Sequence, residues 1–320
     1  MSSSKPIVTV FGATGAQGGG VVDALLADGS FQVRGVSRNT DSDKAKALSA
    51  RGVEMVAADM SDAEAMMKAV SGAHAVFVVT QFWEKFDPVL EATQGKLVAD
   101  VCKEAGVHHV VYSTLFDVRG IVDQLDDPPI KPLASGYVVP HFDGKGDARA
   151  HVDSLGLNLT YVLAGFYYEN FFSFFPPRKE DDGTFTVTLP MADKPVGGVA
   201  VSDIGGAVTT IIKEGEKHFG KEYGLMGDLL PVKAYTDAMS SALGVTVNYQ
   251  AVPIEVFAGF GFPGAEDLAN MFGLFQNTKF MFGRYSLEET KALNPSTQSF
   301  EEWLAKEDTR ATLKGAMKIE

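Results

Sequence analysis

Ile7-Val8-Thr9-Val10-Phe11-Gly12-Ala13-Thr14-Gly15-Ala16-Gln17-Gly18-Gly19 decides the fold of this chain. An apolar run of strand length is followed at once by glycines at 12, 15 and 18. The spacing then predicts a helix over 19–28, with Val21, Val22, Leu25 and Leu26 on one face. A strand, a glycine turn and a helix N-terminus make a cradle for a pyrophosphate. Gly12 permits the tight turn, Gly15 lets the backbone approach the phosphates, and Gly18 allows close helix–strand packing, while free N–H groups and the positive helix end face the anion. In a chain with 33 glycines the bare spacing arises by chance. Its position after a strand and before an amphipathic helix gives it weight against the alternative, a tight turn that binds nothing.

The second strand selects the dinucleotide. Phe31-Gln32-Val33-Arg34-Gly35-Val36 reads as a strand that ends in Ser37-Arg38-Asn39. An NAD site places Asp or Glu about 20 residues after the glycines to bind the ribose 2′-OH. Here that place holds Ser37, followed by Arg38. A guanidinium suits a 2′-phosphate, and the missing carboxylate removes a repulsion. NADP(H) is therefore the expected cofactor, against the alternative that Arg38 is a solvated loop charge.

A chain of 320 residues accommodates one large α/β domain, or a domain with a smaller lobe. Hydrophobic residues make up 45% and charged residues 22%, as in chains that bury a core. The net charge of −13 opposes direct binding to DNA or RNA, which calls for a basic stripe. A phosphate cofactor needs only a few donors. Cys102, the one cysteine, excludes an intramolecular disulfide and fits a reducing compartment. Its setting over 98–103 reads as helix, with the thiol in a packing role. Met1-Ser2-Ser3-Ser4-Lys5 leads straight into the first strand without a signal-peptide pattern, and no apolar run reaches the length of a membrane span. A cytoplasmic, non-membrane protein is expected.

Strand and helix patterns alternate over the first 115 residues. A polar helix is expected over 42–51, a strand over 54–58 that ends at Asp59, and a helix to Val70 from a capping box of Ser61 and Glu64. Ala75-Val76-Phe77-Val78-Val79-Thr80 is apolar throughout, as a parallel strand buried on both faces should be. A helix over 90–105 precedes Val110-Val111-Tyr112-Ser113. The expected fold is α/β, a doubly wound parallel Rossmann sheet with Gly12, Arg38, Asp59, Thr80 and Ser113 at strand ends, converging on one cleft. The pattern breaks over 117–140. There Asp126-Asp127-Pro128-Pro129 and Lys131-Pro132 predict a long loop beside the site, either a lid or a surface insertion. A helix over 143–154 and a strand over 159–163 complete a domain at 1–165. The remainder, 166–320, carries a strand over 184–189, a helix after Val201-Ser202-Asp203 and an aromatic, glycine-rich stretch at 256–282. It is expected to form a smaller, interleaved C-terminal lobe.

The glycine loop, Arg38 and the run His141-Phe142-Asp143-Gly144-Lys145-Gly146 resemble the NmrA-like branch of the atypical short-chain dehydrogenase/reductase superfamily, and its HSCARG-type members in particular. The likeness extends to Gln94-Gly95-Lys96-Leu97, Tyr168-Glu169-Asn170, Gly261-Phe262-Pro263-Gly264-Ala265 and Asp267-Leu268-Ala269-Asn270-Met271-Phe272, so it spans nearly the whole chain. It implies NADP(H) binding with a regulatory, redox-sensing role. By position it implies Gly12, Ala13, Thr14, Gly15, Ala16 and Gln17 on the pyrophosphate and Arg38 on the 2′-phosphate. Asp59 and Met60 would lie near the adenine, and Thr80, Gln81 and Phe82 along the cofactor. Lys145 would hold the nicotinamide ribose, with Tyr167, Tyr168, Glu169 and Asn170 near the nicotinamide. Two positions depart from the family, which carries lysines where this chain has Ser42 and Thr93; the resemblance then implies weaker NADP preference, not its loss.

Active short-chain dehydrogenases use a Ser with a Tyr-x-x-x-Lys pair, in which Tyr exchanges the substrate proton. Ser113 and Lys145 can occupy two of those places, but the Tyr place holds His141, which is shorter and lacks the reach of a phenol. Ser113, His141 and Lys145 are the candidate catalytic residues. The favoured expectation is an NADP(H)-binding sensor with little turnover that reports to a regulatory protein partner. The alternative is an NADPH-dependent reductase of quinone-like or aromatic molecules, with Lys145 assisting proton transfer. His108-His109 has no carboxylate or cysteine partners at metal spacing, so no metal is expected. The aromatic run 166–175, with Phe257, Phe260, Phe262, Phe272 and Phe275, either lines a pocket for a small apolar ligand or forms core and partner surface; the latter is favoured.

Overall fold

The apolar runs become β1 Ile7–Val10, β2 Gln32–Ser37, β3 Glu54–Ala57, β4 Ala73–Val79, β5 His109–Ser113 and β6 Leu159–Ala164. The computed structural model describes residues 5–125, 128–277 and 283–319. Met1 to Ser4, Asp126, Asp127 and the last five residues of the stretch 256–282 lie outside it. Between and after these strands come α1 Ala16–Asp28, α2 Asp43–Ala50, α3 Ala63–Val70, α4 Pro88–Glu104 and α5 Pro140–Ser154. Further along are β7 Phe166–Tyr167, β8 Arg178–Lys179, β9 Phe185–Leu189, β10 Pro195–Val199, α6 Val201–Glu214, β11 Glu222–Leu225, β12 Asp228–Pro231, α7 Val232–Leu243 and β13 Val247–Ala251. The described chain ends in α8 Ile254–Ala258, α9 Ala265–Gln276, α10 Leu287–Leu293, α11 Phe300–Leu304 and α12 Glu307–Met317.

Seven strands form one parallel sheet in the order β11-β6-β5-β4-β1-β2-β3. The order reverses between β1 and β4, and a crevice opens at such a switch point beyond the strands' carboxyl ends. This is the expected doubly wound α/β fold. β11 and α6 come from the C-terminal half yet belong to the sheet and its helical cover. Two three-stranded sheets, β12-β10-β7 and β13-β9-β8, lie outside it.

One sheet face packs Val8, Val10, Phe77 and Val111 against Val21, Leu25, Ile204 and Val208 of α1 and α6. The opposite face packs Val76, Val78 and Val110 against Val98, Ala99 and Cys102 of α4. Cys102 is fully buried, which pushes its thiol up to about 12. α1 and α6 meet through glycine: a Cβ on Gly205 would sit 2.1 Å from the Gly20 carbonyl oxygen, and one on Gly20 would sit 2.7 Å from that of Val201. Among the described residues no helix is long and apolar enough to cross a membrane.

Four local expectations need correction. α1 starts at Ala16, three residues before the expected start, because the glycine turn itself enters the helix. The cap of α3 is Asp62, whose side chain accepts from the Ala65 N–H; Ser61 lies outside the helix and accepts from the Gln94 amide. α5 starts at Pro140, so His141 and Lys145 stand one turn apart on the same helix. The segment 117–140 is neither a lid nor a loose insertion in its described part. Asp143 accepts the N–H groups of Val118 (2.8 Å), Val138 (2.7 Å) and Val139 (3.0 Å), and Val118, Leu125, Ile130 and Val138 are buried. None of its described residues before Pro140 lines the cleft.

The glycine contact predicts opposite signs for two Gly→Ala changes. Gly205→Ala drives a methyl into backbone and should destabilise by about 1–3 kcal/mol or more. Gly315 lies in α12 with open space around it, and Gly315→Ala should stabilise by about 0.5–1 kcal/mol. Urea denaturation of both variants checks this; a shared sign would remove the close-contact argument.

Candidate functional site

At the switch point the glycine turn is built as its spacing requires. Gly12 has φ +67°, a conformation in which a side chain is strained. The Gly15 N–H donates to the Gly12 carbonyl at 2.8 Å, and a Cβ on Gly18 would lie 2.2 Å from the same oxygen. α1 begins without a side-chain cap and without an acidic residue in its first turn. Its first N–H groups therefore remain available at the positive end of a 13-residue helix, the arrangement that holds phosphate.

A cleft of about 590 Å³ runs from this turn across the sheet's carboxyl edge. Gly12, Thr14, Gly15, Ala16, Gln17 and Gly18 line one end, with Arg38, Asp59 and Met60 beside them. Arg38 follows β2 with its side chain 58% exposed, and its Nη1 lies 2.6 Å from Glu84 Oε1. The guanidinium holds the Glu84 carboxyl below its ordinary range. A recess next to Arg38 is lined by Thr14, Ser37, Asn39, Ser42, Asp43 and Lys44. Ser42 caps α2 here, and Lys44 brings a second cation to the recess beside the Asp43 carboxylate.

Midway, Thr80, Gln81 and Phe82 leave the end of β4. Thr80 donates to Glu91 Oε1 at 2.7 Å, and the Lys145 amine donates to Thr80 Oγ1 at 2.9 Å, to the Thr80 carbonyl at 3.5 Å and to Glu91. Lys145 thus lines the cleft as half of an ion pair whose carboxylate is fully buried.

Ser113, Tyr167, Glu169 and Asn170 line the far part. The Gln17 amide donates to the Tyr167 hydroxyl, and burial pushes that phenol up to about 12. Both oxygens of Glu169 accept the Val201 N–H at 3.2 Å, the first N–H of α6. Burial nonetheless raises the Glu169 carboxyl to about 7. His141 is buried in the wall: its Nδ1 lies 2.6 Å from Asp267 Oδ1, and its backbone N–H donates to Asp267 Oδ2 at 3.3 Å. Trp83, Phe82 and Phe142 surround the ring at 4.7–5.9 Å. Phe166, Phe174, Phe175 and Phe275 complete an aromatic wall, with Met271 beside them.

Two expected site residues are elsewhere. Ala13 is buried in the core, with its N–H directed to the Val36 carbonyl. Tyr168 is fully buried against Phe300 and Trp303, because β7 ends at Tyr167 and the chain enters a 3-10 turn at Tyr168, which directs this ring away from the cleft. The aromatics divide likewise: Phe171, Phe257 and Phe272 are core, while Phe260 and Phe262 are exposed. Among the described residues no three His, Cys, Asp or Glu could hold a metal.

The residues present fit a dinucleotide. The turn has no room for side chains where phosphates approach, and Gln17 Oε1 and Glu91 Oε2 are buried without a partner. Ribose hydroxyls and amide N–H groups are donors of the kind both oxygens lack.

A sequence profile of the NmrA-like family matches residues 4–304. The chain belongs to the NmrA-like family. An NmrA-like family domain-containing oxidoreductase of Aspergillus campestris, cpsB, is 30% identical, over 98% of this chain and 93% of the relative. Among solved structures, NmrA, a negative transcriptional regulator, in complex with NADP, superposes with a TM-score of 0.76 at 24% identity, over 95% of this chain and 96% of that one. Citrobacter sp. triphenylmethane reductase complexed with NADP(H) gives 0.72 at 20% identity, over 98% and 100%. At these identities the structural likeness speaks to the fold alone.

Three functional side chains of this NmrA-like site escaped the sequence reading: Glu84, Glu91 and Asp267. Two of them left a signal. Glu91 shares the buried face of α4 with Gly95, Val98 and Cys102, and Asp267 shares that of α9 with Met271 and Leu274. A carboxylate at helical spacing among apolar residues marks a buried charge in need of a partner. Glu84 left none, since its partner Arg38 is 46 residues away.

Glu169 gives a pH test. Its raised value means that the folded chain binds this proton more tightly than the unfolded one. Its contribution to stability is then full below the ordinary 4.5 and is lost as pH rises through about 7, on the order of 3 kcal/mol in all. Glu169→Gln keeps an acceptor for the Val201 N–H and should flatten this part of the profile. Denaturant midpoints at pH 4.5 and 8 measure the difference; identical profiles would refute the buried-carboxyl assignment.

Proposed function

We propose that the chain is an NADP(H)-dependent reductase of apolar aromatic or quinone-like small molecules. The observation that carries this reading is that one continuous cleft joins the glycine turn and Arg38 to an aromatic-walled far end with a buried histidine. Gly12, Gly15, Gly18 and the first turn of α1 would hold the pyrophosphate, Arg38 and Lys44 the 2′-phosphate, and Thr80 to Phe82 the body of the cofactor. Lys145, fixed by Glu91, Tyr167, Glu169 and Asn170 would frame the nicotinamide. Related chains named oxidoreductases, and structural neighbours named as reductases with NADP(H), accord with this reading.

A second reading, the NADP(H)-dependent regulator, is favoured by one observation. A 2′-phosphate on Arg38 would compete with Glu84, so cofactor occupancy would act on the segment 82–84, next to the exposed Phe86 and Val89. Turnover separates the two readings. NADPH oxidation at about 1 s⁻¹ or more with a member of a quinone and enone panel is expected; tight NADPH binding with no turnover would instead leave the regulator.

Arg38→Ala should weaken NADPH by about 1–2 kcal/mol and leave NADH nearly unchanged. A charge-assisted hydrogen bond contributes about 1.5–3 kcal/mol, and releasing the exposed Glu84 costs less than about 1. Glu84→Gln removes the competitor and should tighten NADPH alone. Calorimetric titration with both cofactors tests this, and an Arg38 variant that weakens the two equally would remove the 2′-phosphate assignment.

A further inference from the structure

We propose that His141, oriented by Asp267, is the proton donor of the cleft. The inference rests on the reductase reading and deepens it. Reduction of a carbonyl or quinone needs a proton at the oxygen as well as hydride at carbon. The place where active short-chain dehydrogenases carry a phenol holds an imidazole here, and the geometry points to the group that takes over.

Lys145 is the obvious substitute, and its geometry argues against it. An ammonium has three N–H bonds. Glu91 Oε1, Thr80 Oγ1 and the Thr80 carbonyl offer three acceptors around it, so no donor is left for a substrate. The Tyr167 hydroxyl accepts from Gln17 and keeps its own O–H, but burial pushes that phenol up to about 12, so its proton is held tightly.

His141 has the opposite arrangement. Its Nδ1 and its backbone N–H both face the one buried carboxylate of Asp267. Its Nε2 makes no hydrogen bond to a described residue, and the side chain lines the cleft. A carboxylate that accepts Nδ1–H fixes the tautomer, so the exchangeable proton is the one on Nε2. Asp267 is a positioning residue, and its grip on the backbone N–H also sets where the first turn of α5 lies.

The step balances. NADPH, when bound, supplies hydride and ends as NADP⁺. At the substrate a C–H bond forms as the carbonyl π bond opens toward oxygen, and that oxygen takes the Nε2 proton of the imidazolium. The ring is left neutral, with its remaining proton on Nδ1 facing Asp267, and regains its charge from water in the cleft.

The ring can be read directly, without cofactor, from its ¹⁵N signals. In wild type the neutral ring should carry its proton on Nδ1. In Asp267→Asn the amide oxygen is drawn to the His141 backbone N–H, its NH₂ faces Nδ1, and the proton should move to Nε2. With NADPH and a reducible quinone or enone, His141→Gln should lower turnover by about 10²–10⁴-fold while NADPH affinity stays within about threefold. If His141→Gln does not fold, Asp267→Asn, which preserves size, carries the same test with a fall of at least about tenfold. A neutral wild-type ring protonated on Nε2 overturns the proposal, and so does undiminished turnover in a folded variant; both leave the reductase reading standing. A wild type that reduces nothing in the panel defeats that reading itself, and the proton-donor role falls with it.

Discussion

Gly18 lies so close to the Gly12 carbonyl that no side chain fits between them, and most of the site hangs on that contact. It sets α1 against the end of β1 and aims the helix N-terminus into the crevice. Two residues on, Gly20 admits Gly205, so α6 inherits its position from α1. The first N–H of α6 in turn holds Glu169, on the far wall of the cleft. Phosphate end and far end are therefore linked through backbone contacts. Such contacts cannot adjust by changing rotamer, which is why interiors transmit displacement so faithfully.

Three buried carboxylates, all in contact with α5 or the segment before it, do the remaining positioning. Glu91 fixes Lys145, Asp143 gathers the N–H groups of Val118, Val138 and Val139, and Asp267 holds His141. A buried ion pair is a poor source of net stability, since desolvation offsets most of the attraction, but losing one partner is severe. What these groups contribute is placement. They set the first turn of α5, which has no side-chain cap of its own, against β4, α4 and α9.

The sheet and the phosphate turn were legible because both are local. Strand-length apolar runs separated by amphipathic helices determine a parallel sheet almost without alternatives, and the glycine spacing acts over seven residues. Arg38 was legible as a charge at a strand end, but its pairing with Glu84 was not. The misplacement of Tyr168 shows the limit from the other side. A run of neighbouring residues can resemble a family motif, yet where the strand gives way to a 3-10 turn one of them, Tyr168, is turned into the core. The segment 117–140 misled for a related reason. Prolines and acidic residues announced the absence of regular structure, but an irregular backbone can still be tied down when a single carboxylate satisfies its amides, and Asp143 stands beyond the end of that loop.

The one thiol of the chain lies under α4 with no solvent contact and a proton held far above neutrality. Peroxide and disulfide chemistry need an accessible thiolate, so in the folded state oxidants have nothing to act on at cysteine. Whatever responsiveness to cellular redox conditions this chain possesses does not enter through a cysteine of the folded state. Cys102 meanwhile becomes a silent marker of integrity, reactive only once the packing between α4 and the sheet has opened.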